Sequence, residues 1–147
     1  MGSPVVCDSL GVRSIFVFPD VEQAAVVALL DERSPGRRHP WFVDGCLYVW
    51  LITEDLYLDW EPQTVRSLTR ACGRRPEWML EVEVSGRVDG TAEVRHLTLA
   101  LLAQGGIAMD DYSDHLWTAE EVADDRAVDG LHFFGFRTHR EQTALPQ

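Results

Sequence analysis

The sequence contains neither lysine nor asparagine, and basic residues of any kind are few. Its 147 residues include 13 basic residues, all arginine, against 24 acidic ones, which gives a formal net charge of -11. Sequence-independent binding to DNA or RNA depends on neutralising phosphates, so this balance predicts that nucleic acid is not a partner. A basic protein is the partner that the charge favours, because complementary fields speed and orient association. The simpler alternative is that the acidic residues only maintain solubility.

Long apolar runs are also absent. A run such as residues 24–30 is far short of the roughly 20 residues that cross a bilayer, and no basic region followed by an apolar stretch opens the sequence. We therefore expect no membrane partner and a cytoplasmic location. Hydrophobic residues nevertheless make up 46% of the chain. That content predicts a single globular domain over residues 1–147, with frayed ends at 1–12 and 140–147.

Cysteine is scarce, and the common catalytic motifs are missing. Cys7, Cys46 and Cys72 form no C-x-x-C pair, so neither a disulfide framework nor a thiolate zinc site is indicated. Gly105 and Gly106 follow a predicted helix, whereas a phosphate-binding loop places its glycines at a helix start. No G-x-S-x-G or H-E-x-x-H motif occurs. The sequence thus predicts no catalytic residue, no metal site and no cofactor, and an enzyme is less favoured than a binding protein.

The apolar periodicity predicts alternating strands and helices. Strands are expected at residues 14–19, 46–53, 56–60, 77–85, 107–109 and 131–138, and helices at 21–32, 62–72, 91–104 and 118–123. Because it is almost continuously apolar, the second strand should be buried on both faces at the centre of a sheet. A hairpin about Glu54 and Asp55 should join it to the third strand. Capping boxes are expected for Asp20 with Gln23 and for Thr118 with Glu121.

This order predicts an α+β two-layer sandwich: a mainly antiparallel sheet with helices on one face. The first six elements match the split β-α-β plan of a ferredoxin-like core, with a helix and a strand appended. A doubly wound parallel sheet is the alternative if residues 76–109 form a right-handed parallel crossover.

The last third of the chain contains a strongly acidic segment. Residues 108–129 hold eight acidic residues and one arginine, and two aromatic residues lie among them. Aromatic side chains with charges around them are typical anchors of protein interfaces. We therefore predict a partner-binding surface in this segment, made of Asp110, Asp111, Tyr112, Asp114, His115, Trp117, Glu120, Glu121, Asp124 and Asp125. The alternatives are a solubilising face, a core position for the two rings, and a cation site, which the spacing fits poorly because it is not that of an EF-hand.

One part of the chain resembles a known group of proteins. A helix ending in Gly-Gly, a short strand and the sequence DDYSDHLWTAEEV, within residues 94–122, resemble a segment of uncharacterised small acidic actinobacterial proteins. Some of these are regarded as immunity proteins of polymorphic toxin systems. The resemblance implies a non-enzymatic protein that binds and blocks one toxin, and it assigns no binding residue.

Three functions therefore remain open on the sequence. The first is a non-enzymatic inhibitor of immunity type that blocks a basic toxin or enzyme through its acidic surface. The second is a small ligand- or metal-binding domain or enzyme, with a pocket between sheet and helices lined by Trp50, Trp60 or Phe134 and polar groups from Asp111 and His115. The third is a structural or regulatory subunit that self-associates through an exposed strand.

Overall fold

The fold is an α+β sandwich with one six-stranded sheet. A computed structural model describes residues 13–36, 39–86, 89–111, 113–128 and 130–134. Its elements in chain order are β1 (Arg13–Pro19), α1 (Gln23–Arg33), β2 (Trp41–Val43), β3 (Leu47–Ile52), α2 (Pro62–Cys72), β4 (Met79–Val84), α3 (Thr91–Leu101), β5 (Gly106–Asp110), β6 (Trp117–Thr118) and α4 (Ala119–Ala123). Among the described residues, no helix has the length and apolar character that a membrane crossing requires.

Every pairing in the sheet is antiparallel, and the strand order is β2-β3-β4-β1-β5-β6. The predicted α+β class with a mainly antiparallel sheet is therefore confirmed, and the doubly wound alternative is wrong. Strands β1 and β3 lie on either side of β4, and β4 and β5 lie on either side of β1. The connection from β1 to β3, which contains α1, therefore passes over β4. The connection from β4 to β5, which contains α3, passes over β1.

The predicted assignment of the split plan to the first six elements is wrong. Helix α2 connects β3 to β4, which are neighbours in the sheet, so that connection passes over no strand. The two β-α-β units whose strands are separated by another strand are instead β1, α1 and β3, and β4, α3 and β5. Elements β2, α2, β6 and α4 are additions to these two units. The sequence pattern could not show this, because a helix between neighbouring strands and one between separated strands have the same periodicity.

The main core lies between one face of the sheet and three helices. Alternate residues of the central strands point into it, and they meet buried side chains of α1, α3 and α4, including Val26, Leu30, Val94, Leu97 and Val122. The helical spacing predicted for α3 accounts for its buried face.

Helix α2 departs from the predicted arrangement of helices on one face. Its buried Leu68 packs against Phe18, Met79 and Ile107, which point to the side of the sheet opposite the main core. We call these four residues the second cluster. The physical reason is that β1 carries large apolar side chains on both faces, and the side with Phe18 also needs cover from water.

The predicted hairpin about Glu54 and Asp55 is wrong. The hairpin in the structure lies before β3 instead of after it, and it joins β2 to β3. Asp44 and Gly45 in its loop both have positive φ. Glycine adopts that conformation freely and aspartate tolerates it better than most residues. Residues 56–60 form turns rather than a strand. Leu56, Tyr57 and Trp60 pack on the second cluster, whereas Leu58 is exposed.

The predicted start of α4 and both predicted ends of α2 are confirmed, whereas the predicted cap of α1 is not. At α4, the Thr118 hydroxyl accepts from the Glu121 amide while the Glu121 carboxylate accepts from the Thr118 amide, which is the predicted capping box. Helix α2 begins at Pro62 and ends at Gly73 in the left-handed conformation, as expected. Helix α1 begins at Gln23 without a side-chain cap, because the predicted capping residue Asp20 belongs to the preceding turn.

The last described segment, residues 130–134, is less strand-like than predicted. Residues 131–134 make only an isolated bridge, between Val128 and Leu131, instead of the predicted strand over 131–138. Positions 135–138 lie outside the described residues, as do the predicted frayed ends. The short strand β6 was not predicted, because its two residues are too few to show alternation.

A close approach of two backbones fixes the start of β5. Gly106 has a φ of +114°, and a Cβ at this position would lie 2.3 Å from the carbonyl oxygen of Phe18. We predict that Gly106→Ala lowers the free energy of unfolding by about 3 kcal/mol or more, because the side chain would push β5 away from β1. Urea unfolding followed by circular dichroism measures this.

The control is Gly36→Ala, since Gly36 also has a positive φ but open space around its Cβ position. Its cost should stay near the 1–2 kcal/mol of the backbone conformation alone. Equal losses in the two variants would contradict the role assigned to the close approach.

Candidate functional site

The candidate site is the part of the sheet that α2 leaves uncovered, on the same side as α2. The register places two cross-strand rows of side chains there, running over the central strands. We call these two rows, together with Asp111, which accepts hydrogen bonds from Ser14, the open face. One row consists of Trp50, Glu81, Phe16 and Met109. The other consists of Phe42, Tyr48, Glu83 and Ser14.

Two large aromatic side chains of the open face are accessible to solvent. Tyr48 is 36% exposed and Trp50 38% exposed, although both belong to an internal strand of the sheet. The ring of Tyr48 packs 4.9 Å from that of Phe42, and the Trp50 indole donates a hydrogen bond of 3.4 Å to the Glu83 carboxylate. These contacts hold the two rings in place while leaving much of their surface free.

Carboxylates lie between the aromatic side chains. Glu81 is flanked in the sheet by Phe16 and Trp50. Partial burial raises the pKa of Glu81 to about 7, and the nearby charges of Glu83 and Asp111 act in the same direction. Desolvation by the protein around Asp111 also raises its pKa, although the residue is exposed at the edge of the open face, and the hydrogen bonds that it accepts from Ser14 act against this effect. The open face therefore concentrates acidic groups that repel one another, and its residues include no basic side chain.

A cleft of about 490 Å³ continues the open face between the start of α2 and the end of β5. Its apolar lining comes from Phe16, Trp60 and Met109, and acidic lining residues include Asp111 and Asp114. Aromatic rings beside carboxylates suit a guanidinium or ammonium group, which can stack on a ring and pair with a carboxylate.

The structure divides the predicted partner-binding residues among different roles. Asp110 is buried, and its carboxylate accepts a 2.7 Å hydrogen bond from the Phe134 amide. Asp111 lies on the open face and Asp114 on the adjoining cleft, where both are exposed. Tyr112 lies outside the described residues. Of the described acidic residues at the start of this segment, Asp111 and Asp114 thus face solvent at or beside the open face, and Asp110 does not.

Further along the segment, side chains pack inwards or pair with each other. Trp117 is fully buried, with its ring 4.7 Å from that of His115 and 5.8 Å from that of Phe133. His115 Nε2 lies 2.9 Å from Glu121 Oε1. Burial opposes ionisation of Glu121, but the hydrogen bonds from Thr118 and His115, with the charges of His115 and Arg126, together lower its pKa.

The remaining acidic residues lie on or after α4. Asp124 pairs with Arg126 at 3.0 Å, and Asp125 lies 3.7 Å from Arg95 and 3.2 Å from His132. Glu120 is exposed. Exposed ion pairs of this kind contribute little to stability, but they neutralise part of the local charge. The predicted surface is therefore less negative around α4 than its acidic composition suggested.

The sequence did not identify the residues of the open face as a site. Residues 46–53 were expected to be buried on both faces, and the partial exposure of Tyr48 and Trp50 corrects that prediction. The one relevant signal in the sequence is the alternation in residues 77–85, which places Met79, Glu81 and Glu83 on one side of the strand and predicts that one face of it is solvated. The sequence did not indicate the position of α2. In the structure, α2 covers only one end of the side of the sheet that bears Glu81 and Glu83.

The groups proposed for a small-molecule pocket are also separated. Trp60 and Asp111 line the same cleft, but Phe134 is buried in the main core and His115 pairs with Glu121. Within the described part of the chain, no group of three or more histidine, cysteine or acidic side chains could hold a metal ion.

Searches by similarity give nothing to compare with this site. No family model, no curated protein and no solved structure matches the chain.

The buried Asp110 predicts a contrast within the acidic segment. We expect Asp110→Ala to lower the free energy of unfolding by about 2 kcal/mol, because it leaves the Phe134 amide without its acceptor. Asp114→Ala, at an exposed position, should change it by less than about 0.5 kcal/mol. Urea unfolding of the two variants tests this, and a larger loss for Asp114→Ala would refute the placement of these two side chains.

Glu81 predicts a dependence of stability on pH. Because its pKa is about 7 in the folded protein, above the ordinary 4.5, the folded state binds more protons than the unfolded state between these values. The contribution of Glu81 to the free energy of unfolding therefore falls as pH rises from 4.5 to about 7, and stays low above that.

Glu81→Gln removes this decrease. Relative to the wild type, we expect the variant to gain stability between about pH 4.5 and about pH 8, as measured by urea unfolding at a series of pH values. Glu54→Gln, in an exposed turn, controls for the change in net charge. If both variants show the wild-type pH profile, Glu81 does not titrate in this range.

Proposed function

We propose that this protein is a non-enzymatic inhibitor of immunity type, which binds a basic protein, such as a toxin or another enzyme, through the open face. The observation that carries the proposal is the exposure of Tyr48 and Trp50 beside Glu81 and Glu83, on a face that includes no basic side chain and ends at Asp111.

The aromatic side chains favour a protein as the partner. Tryptophan and tyrosine contribute a large share of binding energy at protein interfaces, where they lie near the centre and exclude water. On the open face, Tyr48 and Trp50 lie toward the β2 edge of the sheet, and each is paired with a glutamate of β4. Both rings are fixed on an internal strand, so little conformational entropy is lost when a partner covers them.

The carboxylates favour a basic partner in particular. Desolvation opposes ionisation of Glu81 and Asp111 and raises the pKa of both, and for Glu81 the charges of Glu83 and Asp111 add to this effect. An arginine or lysine of the partner would neutralise them, and the guanidinium of arginine could also stack on Trp50. The net charge of -11 would accelerate association with a positively charged surface.

The adjoining cleft extends the same chemistry to exposed residues of the acidic segment. Asp111 and Asp114 border it beside Trp60. A partner on the open face could therefore place one basic side chain in the cleft and others above Glu81 and Glu83. Blocking by occlusion needs no catalytic group, and this mode of action agrees with the expectation from residues 94–122, which resemble small acidic proteins of which some are regarded as immunity proteins.

The experiment starts with affinity capture from the native host, with the full chain as bait and mass spectrometry as readout. A supporting result is one basic protein held at a near one-to-one ratio, whose own activity the purified chain abolishes at that ratio. Binding should weaken as salt is raised, because charge complementarity is screened. Stoichiometric binding that leaves the partner fully active would refute the inhibitor function.

Variants then test the assigned surface. We predict that Trp50→Ala weakens the complex by about thirtyfold, the effect of a typical aromatic hot spot, and that Glu81→Gln with Glu83→Gln slows association. Leu58→Ala is the matched control, since Leu58 is 75% exposed but lies outside the open face, and its affinity should change less than twofold. Calorimetry and surface plasmon resonance measure these effects. Equal affinities for wild type and Trp50→Ala would place the interface elsewhere.

A further inference from the structure

A second cleft, of about 280 Å³, lies at the other end of α2 and shares no lining residue with the open face. It is formed where β1 ends, β5 begins and α2 exits through Gly73. The close approach of Gly106 to Phe18 fixes two of these segments against each other. The cleft is thus bounded by backbone held in place by the sheet.

Part of the lining of this cleft is apolar. Phe18 and Ile107 are buried, and Trp78 and Cys72 are half-buried beside them. Burial raises the pKa of the Cys72 thiol, and the nearby charge of Asp20 adds to the effect, so the thiol is uncharged near neutral pH. An apolar cavity of about 150 Å³ accommodates benzene. The larger volume here accommodates one aromatic ring and a short polar group attached to it.

The cleft also carries charged side chains of both signs. Three exposed charged residues line it: the basic Arg74 and the acidic Asp20 and Glu77. None of the three forms an ion pair with another residue in the part of the chain that the structure describes, and they do not pair with one another. A ligand with one cationic and one anionic group could pair with both kinds of side chain at once.

We propose that this cleft binds a small zwitterion with an aromatic body, of the chemical class of the free aromatic α-amino acids. The ring packs against the apolar part of the lining, which includes Phe18 and Ile107. The carboxylate of the ligand pairs with Arg74, and its ammonium group pairs with Asp20 or Glu77. This site is independent of the proposed interface, because the two lie at opposite ends of α2 and share no residue.

Three probes with the same ring test the assignment: L-phenylalanine, phenethylamine, which lacks the carboxylate, and 3-phenylpropionate, which lacks the ammonium group. Isothermal titration calorimetry with the full chain should show saturable binding of L-phenylalanine, and binding at least about tenfold weaker for each of the other two. No saturable binding of L-phenylalanine at millimolar concentration would overturn the proposal, as would equal affinities for all three.

Alkylation of Cys72 locates the bound probe. L-Phenylalanine should slow the reaction of Cys72 with iodoacetamide, as mapped by peptide mass spectrometry, because the thiol lines the cleft. Cys46 is buried and does not line it, so its low reactivity serves as the internal reference. Binding without protection of Cys72 would place the ligand elsewhere and overturn the assignment.

Charge variants separate the two ends of the ligand. Arg74→Gln should weaken L-phenylalanine about tenfold while leaving phenethylamine unchanged, and Asp20→Asn should weaken L-phenylalanine while leaving 3-phenylpropionate unchanged. Arg70→Gln is the matched control, because Arg70 is exposed in the last turn of α2, close in sequence to Arg74, but does not line the cleft. An equal effect of Arg70→Gln and Arg74→Gln would show that only the net charge matters and would overturn the proposal.

Discussion

Strand β1 carries bulky apolar side chains on both of its faces, and most features of the molecule follow from the need to cover them. Ile15 and Val17 point into the main core, whereas Phe16 and Phe18 point to the other side. Three helices cover the first face, but α2 alone lies on the second and reaches only the end with Phe18. Because this cover is incomplete, the aromatic and acidic side chains of the open face stay partly exposed, although they belong mainly to internal strands of the sheet.

The acidic segment after β5 contributes to the fold as much as to the surface charge. Asp110 binds the Phe134 amide, and Asp111 binds Ser14 on β1. Each carboxylate thus connects residues distant in sequence, and hydrogen bonds to charged groups are among the stronger ones in proteins. This structural use explains why acidic residues cluster here without forming one continuous binding surface, and it leaves Asp111 and Asp114 at the edge of the open face.

Local patterns in the sequence predicted local structure well. The capping box of Thr118 and Glu121 and the exit of α2 at Gly73 depend on neighbouring residues alone, and the structure confirms both. The hairpin was misplaced because Leu56 and Trp60 alternate like a strand, although they pack on the second cluster. The open face required knowing that α2 crosses to the second side of the sheet. That is a tertiary choice, which the period of the helix does not encode.

The energetics of the open face link this geometry to binding. Glu81 lies between Phe16 and Trp50 near two other carboxylates, and ionising it near neutral pH destabilises the folded chain. A glutamine at the same place would keep the size of the side chain without the repulsion. Groups that oppose stability in this way are typical of binding sites, where the partner supplies the missing interaction. A cationic surface laid over Trp50 and Tyr48 would exclude water from these carboxylates and neutralise them, so that the unfavourable charge of the free protein becomes favourable in the complex.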